Sequence, residues 1–311
     1  MSYGTLREAD GVEISVLADN YTDILMMQGT ERVRRLMVPP PLAPLAEHGL
    51  SCLVTVRSGS EKHCVLMDAG VTPACLLHNA RLLQADLTAI EGIILSHGHF
   101  DHFGGLTHLL KRLKRNVPVT LHPDAFLDRR MNIPMIGRPV GIPRLDEGAL
   151  TGAGAVLGKS SDPVLLAADL MLATGEIGRT TPFEKGFPWA EANIGGMWTV
   201  DPFHDDQGLV IRLRNKGLVV LSGCAHAGII NTVQHARKIT KTDKVYAVMG
   251  GFHLTGPLFD PVIPPTVAAM KEIRPDLVIP MHCTGWKAIT MFAREMPEQF
   301  VLNTVGTTYT L

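Results

Sequence analysis

The sequence predicts a layered α/β fold, with helices covering the faces of sheets. Three observations carry this expectation. Over residues 50–121, short apolar runs alternate with stretches at helical spacing, in the order strand, helix, strand, helix, strand. Hydrophobic residues make up 46% and charged residues 19% of the 311-residue chain, a balance that supplies a packed core and excludes a disordered protein. His97, His226, His253 and His282 each follow an apolar run, as expected where the strand ends of a sheet sandwich gather polar groups on one rim. The length suits one large domain, and residues 1–311 are read as a single unit.

Residues 13–17 read as a first strand, ending at Asp19-Asn20. Residues 21–46 read as an irregular surface excursion, because Pro39-Pro40-Pro41 bars a helix. Residues 50–57 and 64–67 form a hairpin turning at Ser58-Gly59-Ser60 and closed by Asp68-Ala69-Gly70. Thr72 before Pro73 marks a helix start, with the hydroxyl as N-cap and proline at the first helical position. Leu76, Leu77, Ala80 and Leu83 continue that helix, and residues 90–95 are the next strand. Leu106, Leu109, Leu110 and Leu113 stripe a second helix, whose basic end Lys111-Arg112-Leu113-Lys114-Arg115 reads as solvated. A strand at 117–121 then ends at His122.

Residues 123–204 are the least periodic part and are rich in Gly and Pro. They are read as an irregular insertion forming a lid or pocket wall, with short strands at 164–166 and 170–173. Phe183, Phe187, Trp189, Trp198 and Phe203 cluster here. Two readings of them stay open: a small core under a long loop, or an aromatic substrate pocket.

Regular patterns return with a hairpin of strands 207–213 and 217–221. The small-residue turn Ser222-Gly223-Cys224-Ala225-His226-Ala227-Gly228 opens a helix carrying Ile229, Ile230, Val233, Ala236 and Ile239. A strand at 245–249 leads to Gly250-Gly251-Phe252-His253, and a helix covers 265–273. A strand at 277–280 leads to Met281-His282-Cys283-Thr284-Gly285, followed by a helix to about residue 296 and a closing strand.

Chemistry concentrates at His97-Gly98-His99-Phe100-Asp101-His102. Two positions apart on extended backbone, His97 and His99 project to one side, while Asp101 and His102 face a second point. Gly98 lets the chain bend, and Gly104-Gly105 allow close packing where a helix begins. Imidazole and carboxylate ligate zinc, manganese or iron, and this spacing serves one ion or two. His226 and His282 are further metal-ligand candidates. Cys224 is either a thiolate ligand or an inert small residue at a helix start. A Cys224–His226 nucleophilic pair would leave the histidine cluster unexplained. His253 is read as a catalytic or substrate-contacting residue. Glu176 is either a ligand or base, or a turn residue pairing with Arg179. Asp205-Asp206 reads as a loop end, His122 and His204 stay ambiguous, and His48 reads as structural or surface-lying.

The formal net charge of −1 argues against nucleic acid or an anionic membrane as partner and leaves a small-molecule substrate. No apolar run approaches membrane-spanning length, and the first eight residues carry no apolar leader core. Five cysteines without a C-x-x-C pair suit a reduced, cytoplasmic setting. Homo-oligomerisation is left open.

The run His97-x-His99-x-Asp101-His102 resembles the signature of the metallo-β-lactamase fold. With Gly223-Cys224-Ala225-His226-Ala227-Gly228, Gly251-Phe252-His253 and His282-Cys283-Thr284-Gly285, the chain is similar to a narrower metal-dependent hydrolase branch. That branch is known as dihydropteroate-synthase-like, or as 7,8-dihydropterin-6-methyl-4-(β-D-ribofuranosyl)aminobenzene 5′-phosphate synthase. The resemblance covers most of the chain and implies an αββα four-layer sandwich with mixed sheets. It places His97 and His99 on a first metal, and Asp101, His102 and His282 on a second. The chain departs from the pattern twice. A histidine between the cluster and the bridging position is missing, with Glu176 or His226 as substitutes, and Cys224 replaces the bridging aspartate.

The expected function is that of a hydrolase-fold enzyme with one or two divalent ions, zinc foremost and manganese or iron as alternatives. The ions would activate water or polarise a small, pterin-like or phosphorylated substrate. Asp101 would orient or deprotonate the water. An aromatic ring would stack on the 183–203 segment, and a phosphate would sit beside the helix after His226. Two other classes remain: an iron-dependent oxidoreductase on the same ligands, and a non-catalytic, metal-containing binding protein.

Overall fold

Two large mixed sheets face one another in the computed structural model, which describes residues 4–311. Edge to edge, the first sheet runs Ala155–Lys159, Val117–Leu121, Gly92–Ile94, Glu61–Met67, Ser51–Ser58, Gly11–Ala18, Thr308–Thr310 and Val33–Arg34. The second runs Val164–Leu166, Met171–Ala173, Gly208–Leu213, Gly217–Ser222, Val245–Gly251 and Leu277–Met281, with Glu8–Ala9 paired to Gly208–Leu213.

Three apolar layers hold the sandwich. Val16, Val54, Met67 and Ile94 of the first sheet meet Ile211, Val219, Met249 and Ile279 of the second. Outside the first sheet, the helices Pro73–Leu82, Leu106–Leu113 and Glu147–Gly152 pack through Leu76, Leu106, Leu109 and Leu150. Outside the second, Ile229–Thr240, Ile263–Ile273 and Trp286–Glu295 pack through Ile229, Val233, Met270 and Phe292. This is an αββα sandwich. Its inner strands are covered on both faces, which is why they read as unbroken apolar runs in the sequence.

Parallel pairing sets the functional rim. Glu61–Met67, Gly92–Ile94 and Val117–Leu121 run parallel, as do Gly217–Ser222, Val245–Gly251 and Leu277–Met281. Their C-terminal ends are where side chains for a ligand site collect.

Most predicted elements are present with boundaries shifted by a few residues. Thr72 caps its helix by accepting a hydrogen bond from Cys75 N at 3.1 Å. The expectation of one irregular insertion at 123–204 needs correction. Ala155–Lys159, not expected as a strand, extends the first sheet parallel to Val117–Leu121, while the two strands expected at 164–166 and 170–173 are present as Val164–Leu166 and Met171–Ala173 and complete an edge of the second. Only Arg129–Met131, Val140–Gly141, Ala190–Ile194 and Met197–Val200 form a separate four-stranded sheet. Strands of two to five residues are too short for a period to show. The irregular 21–46 excursion likewise contributes Val33–Arg34 to a sheet.

Among the described residues, no helix is long and apolar enough to cross a membrane, and all five cysteines are free and buried. The reading of the N-terminus as leader-free falls partly on residues 1–3, which lie outside the described residues.

Candidate metal centre

The strand Gly92–Ile94 delivers His97 at its end, and a helical turn at Phe100–Phe103 places Asp101 and His102. Gly98 needs its missing side chain for a different reason from the bend expected: a Cβ there would overlap the Ala125 carbonyl. From the second sheet, Gly217–Ser222 leads to Cys224 and His226, Val245–Gly251 to His253, and Leu277–Met281 to His282. Asp68, Phe203, Ala225, His253 and His282 all have φ between 46° and 60°, a region that L side chains seldom adopt and that gathers at functional sites.

These residues assemble into two adjoining donor groups. The ligand atoms of His97, His99 and His226 lie within 4.8 Å of one another, and so do those of Asp101, His102, Cys224 and His282. Cys224, His226 and His253 form a third overlapping set at the same spacing, so Cys224 stands between the groups. His97 Nε2 and His226 Nε2 face each other at 3.2 Å, and His102 Nε2 lies 3.2 Å from Cys224 Sγ. His282 Nε2 is 3.3 Å from Asp101 Oδ2.

A divalent ion fits this arrangement. His282 Nε2 and His226 Nδ1 are buried without hydrogen-bond partners, a costly state unless something else satisfies them. Burial, reinforced by neighbouring histidines, holds His97 and His226 well below the ordinary imidazole pKa. Burial and then Arg129 bring His99 down to about 4. Imidazoles kept neutral are imidazoles ready to ligate. Burial pushes Asp101 up, but His102 and His282 outweigh it and leave the carboxyl well below its usual range, so it stays ionised. Three imidazoles in one group and a mixed His, Asp and Cys set in the other are donors that zinc and iron both accept.

A second tier of residues aims the first. Asp68 Oδ2 lies 2.6 Å from His102 Nδ1, which leaves Nε2 directed at the donor group. Ser96 N and Oγ donate to the same carboxylate at 2.8 and 2.7 Å. Asp19 Oδ1 accepts from His282 N at 2.7 Å, and Asn20 Oδ1 lies 3.1 Å from His282 Nδ1. Asp205, read from sequence as a loop end, accepts from Gly98 N through one oxygen and from the buried Arg129 through the other, both at 2.8 Å. Asp201 takes Arg129 Nε at 2.7 Å. His48 is surface-lying as expected, its side chain 63% exposed, but it borders the centre: its Nε2 lies 3.8 Å from Asp101 Oδ2, and its ring is 5.0 Å from that of His282.

Asp206 accepts from Ala227 N at 2.8 Å, while its other oxygen is buried and unpartnered. Burial, with a smaller push from Asp205, raises this carboxyl from 3.8 to about 7. A raised acid stabilises the fold below its unfolded pKa, and that contribution is lost as pH climbs through the folded value. Asp206→Asn is therefore expected to gain stability over the parent between pH 5 and pH 8 in metal-stripped protein. At about 1.4 kcal/mol per pH unit, the difference is bounded at roughly 4 kcal/mol. Urea denaturation of both proteins at each pH reads it, and a pH-independent difference would contradict it.

Two expectations do not hold in the structure. Glu176 is not drawn into either donor group. Its side chain is 46% exposed and approaches His122 at 4.0 Å, so of the two residues considered for the missing histidine only His226 joins a donor group. The helix after His226 is also closed to a phosphate. The buried Glu184 carboxylate accepts from Ile230 N and Asn231 N at 2.8 and 2.9 Å, filling the place an anion would take. The aromatic segment divides: Phe203 stacks on His226 at 4.2 Å and 7°, Phe187 meets His253 at 5.4 Å, and Trp198 covers Arg130 on the small sheet.

A model of the metallo-beta-lactamase superfamily matches residues 49–220. The chain is 34% identical over 265 residues to a Methanocaldococcus jannaschii protein named 7,8-dihydropterin-6-methyl-4-(beta-D-ribofuranosyl)-aminobenzene-5′-phosphate synthase, covering 82% of this chain and 87% of that one. An uncharacterised protein of the same organism is 31% identical over 262 residues, covering 84% and 92%. Among solved structures, a metal-dependent hydrolase of the beta-lactamase superfamily superposes with a TM-score of 0.74 at 26% identity, over 96% of this chain and 98% of that one. The metallo-beta-lactamase fold protein YhfI from Bacillus subtilis shares the fold at a TM-score of 0.51 and 12% identity, over 97% and 100%.

Proposed function

Since the chain belongs to the metallo-β-lactamase superfamily, we propose that it is a divalent-metal-dependent enzyme acting on a small, pterin-like substrate. His97, His99 and His226 would hold one ion, and Asp101, His102 and His282 a second, with Cys224 between them. Zinc is the first choice, with manganese or iron as alternatives. The observation that carries this reading is the pair of buried donor groups meeting at Cys224, with His226 Nδ1 and His282 Nε2 left unpartnered. The M. jannaschii relative's name supports the pterin-like class.

When bound, the ions supply Lewis acidity and make water a competent nucleophile near neutral pH. The chain's own residues do the rest. Asp101, 3.3 Å from His282 Nε2 and beside His102, is placed to orient or deprotonate a water at the centre. His253, with its buried Nδ1 unpartnered and its ring 4.2 Å from that of His226, is placed to exchange a proton or hydrogen bond with the substrate. Phe203 stacked on His226 keeps water from that side of the imidazole.

The test is a comparison of chelator-stripped protein with protein reloaded with zinc, manganese or iron(II). Phosphoester, lactone and thioester panels are assayed alongside a dihydropterin substrate. Turnover is expected to vanish on stripping and return with an ion. Turnover that survives stripping would refute the reading.

A further inference from the structure

We infer that the cavity beside His226 and His253 seats one planar aromatic ring system of the substrate, and that Lys185 at its mouth anchors an anionic group on that ring. This rests on the functional reading above and names where, and by what chemistry, the substrate is held. The cavity has a volume of about 230 Å³. That is below the roughly 300 Å³ at which sites for whole drug-sized molecules begin, so it suits a ring system rather than an entire substrate. Its walls are Phe183, Phe252, Leu254, Phe259 and Val262, apolar and partly aromatic, which favours a flat face over a flexible polar chain.

One end of the cavity is polar and belongs to the metal centre. His226 lines it and is also a member of the group with His97 and His99; His253 lines it and joins Cys224 and His226. A ring lodged there has its edge at the donor groups. The His253 ring is held from two sides, with Phe259 at 4.8 Å and 87° and Phe187 at 5.4 Å, so its orientation toward the cavity is fixed before a ligand arrives.

Charge decides the rest. Two ionisable side chains other than histidine line the cavity, Glu184 and Lys185. Glu184 is buried and committed to the backbone of Ile230 and Asn231 and to the Thr181 hydroxyl, which also clamps the 183–188 wall to the helix Ile229–Thr240. Lys185 is exposed and has neither an ion pair nor a hydrogen bond among the described residues. The mouth therefore presents a free ammonium, and its complement is a carboxylate or phosphate carried by the ring.

The experiment titrates metal-loaded full-length protein with three probes: pterin-6-carboxylate, uncharged pterin, and hexanoate as a flexible anion of the same charge. Pterin-6-carboxylate is expected to bind saturably and at least tenfold tighter than hexanoate. Lys185→Ala should weaken it at least fivefold while leaving pterin unchanged, and Val262→Trp, which fills the cavity, should weaken both pterins. Lys185 is on the surface, so its replacement tests the anchor even if the cavity-filling variant fails to fold. Equal binding of hexanoate, absence of saturable pterin-6-carboxylate binding, or indifference to Lys185→Ala would overturn the inference. Metal content measured on the same samples separates the two claims. Two ions without ring binding refutes the cavity alone, whereas ring binding without any ion refutes the functional reading alone.

Discussion

Asp68→Ala is expected to lower stability by about 3–5 kcal/mol and to weaken metal binding by roughly 10–100-fold. Both effects come from one carboxylate. Asp68 is buried, 2.6 Å from the buried His102, and receives two further hydrogen bonds from Ser96. Although burial opposes it, Asp68 and Asp101 together raise His102 to about 9, so in the metal-free protein the pair is a buried ion pair. Removing Asp68 takes away the hydrogen-bonded partner and leaves buried His102 with only Asp101, 3.7 Å away, as counter-charge, which costs more than the net worth of the pair. With an ion bound, the same carboxylate fixes the proton on Nδ1 and leaves the Nε2 lone pair free.

Asp68→Asn separates the roles. The amide oxygen can take the Ser96 N–H, leaving the amide NH₂ toward His102 Nδ1, which then must accept. The imidazole proton moves to Nε2, where it blocks ligation. Chemical denaturation at pH 7 should show most of the stability restored, while zinc titration still shows weak binding. An Asn variant that binds zinc as the parent does would contradict the tautomer role.

The first tier of the site was legible in the sequence because it obeys spacing. His97, His99, Asp101 and His102 fall within six positions, and His226, His253 and His282 each follow an apolar strand. The structure brings these residues together at one rim, with Cys224 at the junction of the groups. The second tier was not legible. Arg129 meets Asp201 and Asp205 across 72 and 76 residues, and no local pattern marks a carboxylate whose partner is that remote. Asp68 gave a faint signal, an acid at the end of an apolar strand before Ala69-Gly70, but it read as a hairpin closure. Glu176 misled because chain order placed it where a ligand was missing, whereas the structure leaves it at the surface. The helix start after Gly228 looked ready for an anion, yet a buried side chain from a distant loop, Glu184, had already filled it. The strands at 164–166 and 170–173 were legible despite their shortness, but Ala155–Lys159 was not, because its five residues show no clear period and its partner, Val117–Leu121, is remote in the chain.

Cys224→Ser is expected to have the largest effect on metal binding of any single change at the rim. Cys224 is buried, 3.2 Å from His102 Nε2, and shared by the donor set with Asp101 and His282 and the set with His226 and His253. Burial and the neighbouring Cys283 raise its thiol pKa well above the ordinary range in the absence of an ion. A cation between the groups reverses that preference, since a coordinating thiol is deprotonated outright. A serine hydroxyl does not ionise in this way, so binding of the ion on the Asp101 side should fall by at least the hundredfold that loss of an outer-shell partner can already produce.

Cobalt(II) titration of the chelator-stripped parent, followed by elemental analysis, tests the centre most directly. Two cobalt ions per chain are expected, with a sulfur-to-cobalt charge-transfer band in the near ultraviolet that is lost in Cys224→Ser. No bound ion would contradict the proposed metal centre, and two ions with no sulfur band would contradict the place given to Cys224 within it.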